Sequence, residues 1–151
     1  EILQMKMLDI PSVFQDEDAN YFQYKIGTDA TIVCFNNALQ YGYELLNVML
    51  ERHHLKASLF SVNAHLLKGY DIILKDIART QKLIIIDDTK SRNKLSDRFL
   101  LEVVRLRKLK YYISVERKIN DDIFVPCEDL LDIDYIKISD DIKNIQIQKL
   151  K

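Results

Sequence analysis

Hydrophobic and polar positions change their spacing several times along this chain, and each change marks an element. Thr31-Ile32-Val33-Cys34-Phe35 is an unbroken apolar run, the pattern of a strand covered on both faces. Asn37-Ala38-Leu39-Gln40 then resembles a capping box, with Asn in place of Ser or Thr. Leu39, Tyr43, Leu46 and Leu50 follow at helical spacing, flanked by Leu45 and Met49. Ala57 to Val62 predicts a second strand. Asp71 predicts the cap of a helix whose inner face carries Ile73, Leu74 and Ile77. Leu83-Ile84-Ile85-Ile86 gives the clearest strand, entered at Lys82 and closed by Asp87-Asp88. Ser91 through Arg107 is amphipathic, with Leu95, Phe99, Leu100, Val103 and Val104 facing inward, and Lys110 to Val115 predicts a fourth core strand.

Strands alternating with helices predict a three-layer αβα fold around an open, mostly parallel sheet. Five strands are expected, and the sheet admits one antiparallel member. Tyr21–Ile26 is a short alternating stretch read as an edge strand. It closes a lead-in of residues 1–28, broken by Pro11, Ser12 and the acidic Gln15-Asp16-Glu17-Asp18, and the α/β domain proper occupies 29–151. Pro126 ends the Ile123-Phe124-Val125 run. From Ser139 the chain has Asp140 and Asp141 early and Lys149 and Lys151 late, an order that suits a helix dipole. The alternation Ile145-Gln146-Ile147-Gln148 argues for a strand instead; helix is the preferred reading.

The bulk numbers narrow the function. A chain of 151 residues with 48% hydrophobic and 30% charged residues fits one globular domain. A net charge of -1 disfavours a dedicated nucleic-acid binder. No apolar run approaches the roughly 20 residues a membrane helix needs, so no membrane partner is expected and a cytoplasmic location is. The two cysteines, Cys34 and Cys127, lack a metal-ligand spacing and read as reduced structural thiols. The first residues, Glu1-Ile2-Leu3, carry no initiator Met, which suggests a piece of a longer chain.

Several residues invite chemistry. Asn36-Asn37 precedes a helix N-terminus, a place that attracts anions, and lies near the point where strands grow outward in both directions. It is the candidate anion site; the plainer reading is helix capping. Asp87-Asp88 ends a strand where open α/β sheets place function. An acidic pair there could take a cation, but capping and salt bridges to Lys90, Arg92 or Lys94 are the simpler expectation. His53-His54 and His65 lack the third ligand a metal would need. The basic residues Lys90, Arg92, Lys94, Arg98, Arg105, Arg107, Lys108 and Lys110 read as solvated helix faces. Tyr41, Tyr43, Tyr111 and Tyr112 combine apolar area with a polar tip and are the candidate subunit interface. No catalytic residue and no metal ligand is assigned.

Order and motif together carry a resemblance. Gly27-Thr28-Asp29-Ala30-Thr31-Ile32-Val33 resembles the G-x-D-x-T-I-V opening of the C-terminal domain of transketolase-like thiamine-diphosphate enzymes. Ala57-Ser58-Leu59-Phe60-Ser61-Val62-Asn63 is similar to that domain's second strand, and Leu67-Lys68-Gly69-Tyr70-Asp71 stands at its x-x-P-x-D turn. Leu83 to Asp88 resembles its third strand, which typically ends in an acidic pair. Asp122-Ile123-Phe124-Val125-Pro126 resembles a D-x-x-x-P segment of 2-oxoacid dehydrogenase beta subunits. Three departures stand out: Asn36-Asn37 replaces glycine, Lys68 or Gly69 replaces proline, and Thr89 to Lys94 contains no glycine. The resemblance implies a domain that builds homodimer or alpha/beta subunit interfaces and is not itself catalytic. It also implies that thiamine diphosphate and Mg²⁺ bind between other domains, whose G-D-G…N motif this chain does not contain. The alternative is a stand-alone module holding a small anion or metabolite at the strand ends.

Overall fold

Three strands are buried from end to end. β3 (Ala30–Phe35), β4 (Ala57–Val62) and β5 (Lys82–Asp87) each place all six residues in the interior. The computed structural model of the chain describes residues 10–17, 20–63, 70–89, 94–106, 109–117 and 131–148. Besides those strands it contains β1 (Phe14–Gln15), β2 (Tyr21–Lys25), α1 (Leu39–His53), α2 (Asp71–Thr80), α3 (Leu95–Leu106), β6 (Tyr111–Glu116) and α4 (Tyr135–Gln148).

The sheet order is β1-β2-β4-β3-β5-β6. β4, β3, β5 and β6 are parallel, whereas β2 runs antiparallel to β4, and β1 antiparallel to β2. Among the described residues the sheet thus has six strands, not five. The extra one, β1, is two residues long, too short to leave a periodic signal. It also places β2 one strand in from the edge.

Alternate side chains of each buried strand enter different layers, as a period of two requires. Ile32, Cys34, Leu59, Ile84 and Ile86 pack with Leu45, Met49, Ile138 and Ile142 of α1 and α4. Val33, Phe35, Phe60, Leu83 and Ile85 pack with Ile73, Ile77, Phe99 and Val103 of α2 and α3. Helices therefore cover both faces, and the fold is the expected three-layer α/β arrangement.

The buried stripe of α1 differs from the expected one. Gly42, Leu45, Leu46 and Met49 are buried, while Leu50 is exposed and Leu39 and Tyr43 are only partly covered. The cause is small residues. A Cβ on Gly42 would lie 2.3 Å from Cys34 Sγ and 2.8 Å from Leu59 Cδ1, so the helix sits on β3 along its Ala38–Gly42 side. Hydrophobic spacing does not reveal a stripe centred on glycine. Val104, expected inward, is exposed for a related reason: Ser96, Phe99 and Val103 take the sheet-facing stripe of α3. β6 is an edge strand rather than a core strand, and its residues are half-buried or exposed. The preferred helix at the C-terminal end forms, starting at Tyr135 rather than Ser139. Among the described residues, no helix is long and apolar enough to cross a membrane.

Candidate functional site

Strand order locates the place to look. From β3 the chain passes to β4 on one side and then crosses to β5 on the other, so β3 and β5 flank the switch point of the sheet. Ligands of open α/β sheets bind outside the carboxyl ends of such a strand pair. Here those ends carry Asn36 and Asp87, so the structure brings together two residues the sequence singled out separately.

Their side chains are bonded to each other. Asn36 Nδ2 donates to Asp87 Oδ1 at 3.0 Å and also meets Thr89 Oγ1. The Thr89 backbone N–H donates to the same carboxylate oxygen at 2.9 Å, and the Thr89 hydroxyl donates to it as well. Ser96, in the first turn of α3, donates its hydroxyl to Asp87 Oδ2. Asp87 is fully buried with this set of donors around it. Asn36 stands at φ 57°, a left-handed conformation in which Asn is among the better-tolerated residues. The turn thus keeps an unusual backbone without glycine, and the Asn amide reaches across to β5.

Neither asparagine caps α1. The helix begins behind Ala38, which makes no side-chain capping bond. Asn36 is engaged with β5 instead, and Asn37 is exposed in the turn. In the same way Tyr70, not Asp71, precedes the first turn of α2, and it too lacks a capping side chain.

Asp88 faces a different partner. Arg117, just past β6, donates Nε to Asp88 Oδ1 at 2.6 Å, and the two side chains are largely shielded. Lys94 pairs with Glu116, which also accepts from Ser114 Oγ at 3.0 Å. Lys90 and Arg92, expected near Asp88, lie outside the described residues, as do His65, the Lys68-Gly69 turn, Arg107, Lys108, the Asp122–Pro126 segment and Cys127. Sequence reading missed Thr89, Ser96 and Arg117. The one signal for them was a serine and a threonine close after an acidic strand end.

The opposite end of the sheet holds a second polar network, built from the motif that carries the resemblance. A Cβ on Gly27 would lie 2.3 Å from the Ala57 carbonyl carbon and 2.4 Å from Lys56 O, so only glycine fits. Its N–H donates to Ser58 Oγ at 2.9 Å, and Arg79 donates to its carbonyl oxygen. Asp29 Oδ2 accepts the Lys56 N–H at 2.7 Å. The Thr31 hydroxyl donates to Asp76 Oδ2 at 2.7 Å and lies 2.7 Å from Thr80 Oγ1. Asp76 in turn pairs with Arg79. The motif therefore bolts β3 to β4 and α2, on the side of the sheet away from the switch point.

The remaining candidates, Tyr112 excepted, sit on or beside the helical layer of α1 and α4. Tyr41 and Tyr43 are partly buried against the core. Tyr111 is partly buried and its hydroxyl lies 3.4 Å from Asp141 Oδ2. Tyr112 is exposed. His53 Nε2 lies 2.6 Å from Asp140 Oδ1, and Arg52 Nε donates to the same oxygen at 2.9 Å. Cys34 is buried and unbridged, and burial pushes its thiol well up, which keeps it protonated and unreactive. Among the described residues, no three His, Cys, Asp or Glu side chains stand where they could hold a metal ion.

No family model matches the chain. Nor does any curated protein. Among solved structures, the fold is similar to a split-gene transketolase described as an inactive beta4 tetramer, with a TM-score of 0.63 and 16% identity. That likeness covers 89% of this chain but 45% of the transketolase chain. A transketolase from Campylobacter jejuni subsp. jejuni NCTC 11168 also matches, with a TM-score of 0.48 and 14% identity over 71% of this chain and 16% of that one. The first of these supports a transketolase C-terminal-domain-like fold. The chain spans less than half the length of that transketolase.

Proposed function

We propose that this chain is an assembly domain: a transketolase C-terminal-like module that joins subunits around an active site formed elsewhere and carries out no chemistry itself. Within that class, the 2-oxoacid dehydrogenase beta-subunit type is preferred on the Asp122–Pro126 segment. The observation that carries the reading is the self-satisfied switch point. The Asp87 carboxylate is occupied by Asn36, Thr89 and Ser96, and Asp88 by Arg117. Opening it to a ligand would leave a buried carboxylate without its donors, which is costly. The residues present do not fit a diphosphate with its Mg²⁺. A carboxylate pair committed to internal donors supplies no free oxygens for the metal, and the turn after β3, Asn36-Asn37, has no glycine to cradle phosphate. In this reading, thiamine diphosphate and Mg²⁺ belong to partner domains.

The test is a titration of the isotope-labelled chain, first with inorganic phosphate and then with thiamine diphosphate plus Mg²⁺. Amide resonances of Asn36, Asn37 and Thr89 should stay in place at millimolar ligand. Saturable shifts at those residues would overturn the reading in favour of a small-anion module.

A further inference from the structure

The sheet treats its two edges differently. On one side, β1 is two residues long, and β2 behind it carries a register shift between Gln23 and Lys25. Short strands and bulges are devices that keep edges from pairing. On the other side, β6 runs six residues in unbroken register with β5 and contains neither proline nor lysine. Among the described residues, no strand pairs with its outer side.

The helix that leads into β6, α3, is lopsided in a matching way. Glu102 bears on Tyr70, at the head of α2, so that flank of α3 faces α2. Phe99 and Val103 face the sheet. Helical spacing then puts Leu100 and Val104 on the opposite flank, toward the β6 edge, while Leu101 turns away from the sheet. Val104 is 50% exposed, and Tyr112, on the same face of the sheet, is 57% exposed. An unprotected edge beside an apolar shelf is the surface that strand addition uses.

We propose that β6 pairs antiparallel with β6 of a second copy, about a two-fold axis perpendicular to the sheet at Ile113. This rests on the assembly reading above and names its surface. Such an axis joins like faces, so opposed residues must both be odd or both be even. Centred on Ile113, Tyr111 faces Val115, Tyr112 faces Ser114 and Lys110 faces Glu116, each twice by symmetry. Opposite charges and aromatic–β-branched pairs are favourable cross-strand neighbours. Centred on Ser114 instead, Tyr112 would face Glu116 and the charge pair would be lost. Glu116 also meets Lys94 of its own chain, so the pairing leaves one carboxylate between two cations. A second copy suits this edge because the strand is complementary to itself in charge and shape, as a two-fold contact requires.

Sedimentation equilibrium of the 151-residue chain and four variants tests the pairing. The wild type should dimerise. Lys110→Glu and Glu116→Lys should each weaken the dimer about tenfold, and the double exchange should restore it. Ser114→Pro should abolish it. The Tyr111 N–H turns inward to Gln81 O, and directions alternate along a strand, so the Ser114 N–H points outward and its loss spares the β5 ladder. Restoration by the double exchange excludes misfolding as the cause. A dimer insensitive to all four variants overturns the β6 pairing and leaves the assembly reading standing. A chain monomeric at every concentration overturns the pairing and with it the homodimeric form of that reading.

Discussion

Single atoms decide two positions in this fold. Gly27 stands so close to the Lys56–Ala57 backbone that a methyl group has no space, and backbone cannot swing aside as a side chain can. Gly27→Ala should therefore cost about 1–3 kcal/mol, the range for overpacking a tight site. Chemical denaturation measures it, as a lower midpoint at unchanged slope. Ser139 is the reverse case. Its hydroxyl is buried on α4 with no partner among the described residues, one turn beyond Tyr135, whose hydroxyl donates to Glu44 of α1 at 2.8 Å. The hydroxyl therefore sits on the flank turned toward α1, with nothing to bond. Ser139→Ala removes an unsatisfied polar atom at little cost in volume, and should raise stability by about 1 kcal/mol. A melting temperature equal to or below that of the wild type would show that the hydroxyl is satisfied in solution. In the sequence Gly27 is marked only as the head of a motif and Ser139 only as the start of a helix, neither by its packing. A glycine that must be glycine and a serine with nothing to bond look alike until the neighbours, about 30 residues away for Gly27, are in place.

Among the elements, α4 is held by titratable groups whose pKa values are clearly shifted, and this gives it two pH limits. Asp140 accepts hydrogen bonds from Arg52 and pairs with His53, and these hold its carboxyl at about 2, below the usual 3.8. A lowered pKa means the folded state prefers the ionised form. Its contribution is complete above the usual value and is lost as pH falls through about 2. The group is exposed, so the effect is small. Tyr111 behaves oppositely. Burial, and then the charge and hydrogen bond of Asp141, raise its phenol from 10.0 to about 12. The neutral form is favoured on folding, so its contribution is complete below pH 10 and is lost as pH rises through about 12. Melting curves of the wild type, Asp140→Asn and Tyr111→Phe against pH should show this. The Asn variant should lose its deficit only at the acid end. The Phe variant should resist alkali better than the wild type, and parallel alkaline curves would refute the Tyr111 assignment.

The legibility of each element follows from the same contacts. β3 and β5 were readable because burial on both faces leaves an unmistakable apolar run. α4 was ambiguous because its Ile-Gln alternation suits a strand, and only Ile138 and Ile142, four residues apart against α1, settle it as a helix. The acidic pair Asp87-Asp88 was legible at once. Its partners were not, because Asn36 and Arg117 approach it from 51 and 29 residues away.

At the level of the whole molecule, one sheet separates two cores, and the same strands wall both. Ile84 and Ile86 point toward α1 and α4, while Leu83 and Ile85 on the same strand point toward α2 and α3. Neither core can come apart without stripping one face of β3, β4 and β5, which would leave the other packed on a half-solvated sheet. The layers should therefore unfold together. Truncations on opposite faces test this. Ile84→Ala and Ile85→Ala each remove a fully buried side chain and should each cost about 2–5 kcal/mol. The informative result is the shape of the transition. Tyrosines report on both sides, Tyr111 and Tyr135 on the first core and Tyr21 and Tyr70 on the second. Backbone circular dichroism and tyrosine fluorescence should give one coincident midpoint in both variants, the signature of a single cooperative unit. A split transition in Ile84→Ala, with α1 and α4 lost first, would mean that the second core stands alone. The sheet would then be a shared wall in geometry but not in energy.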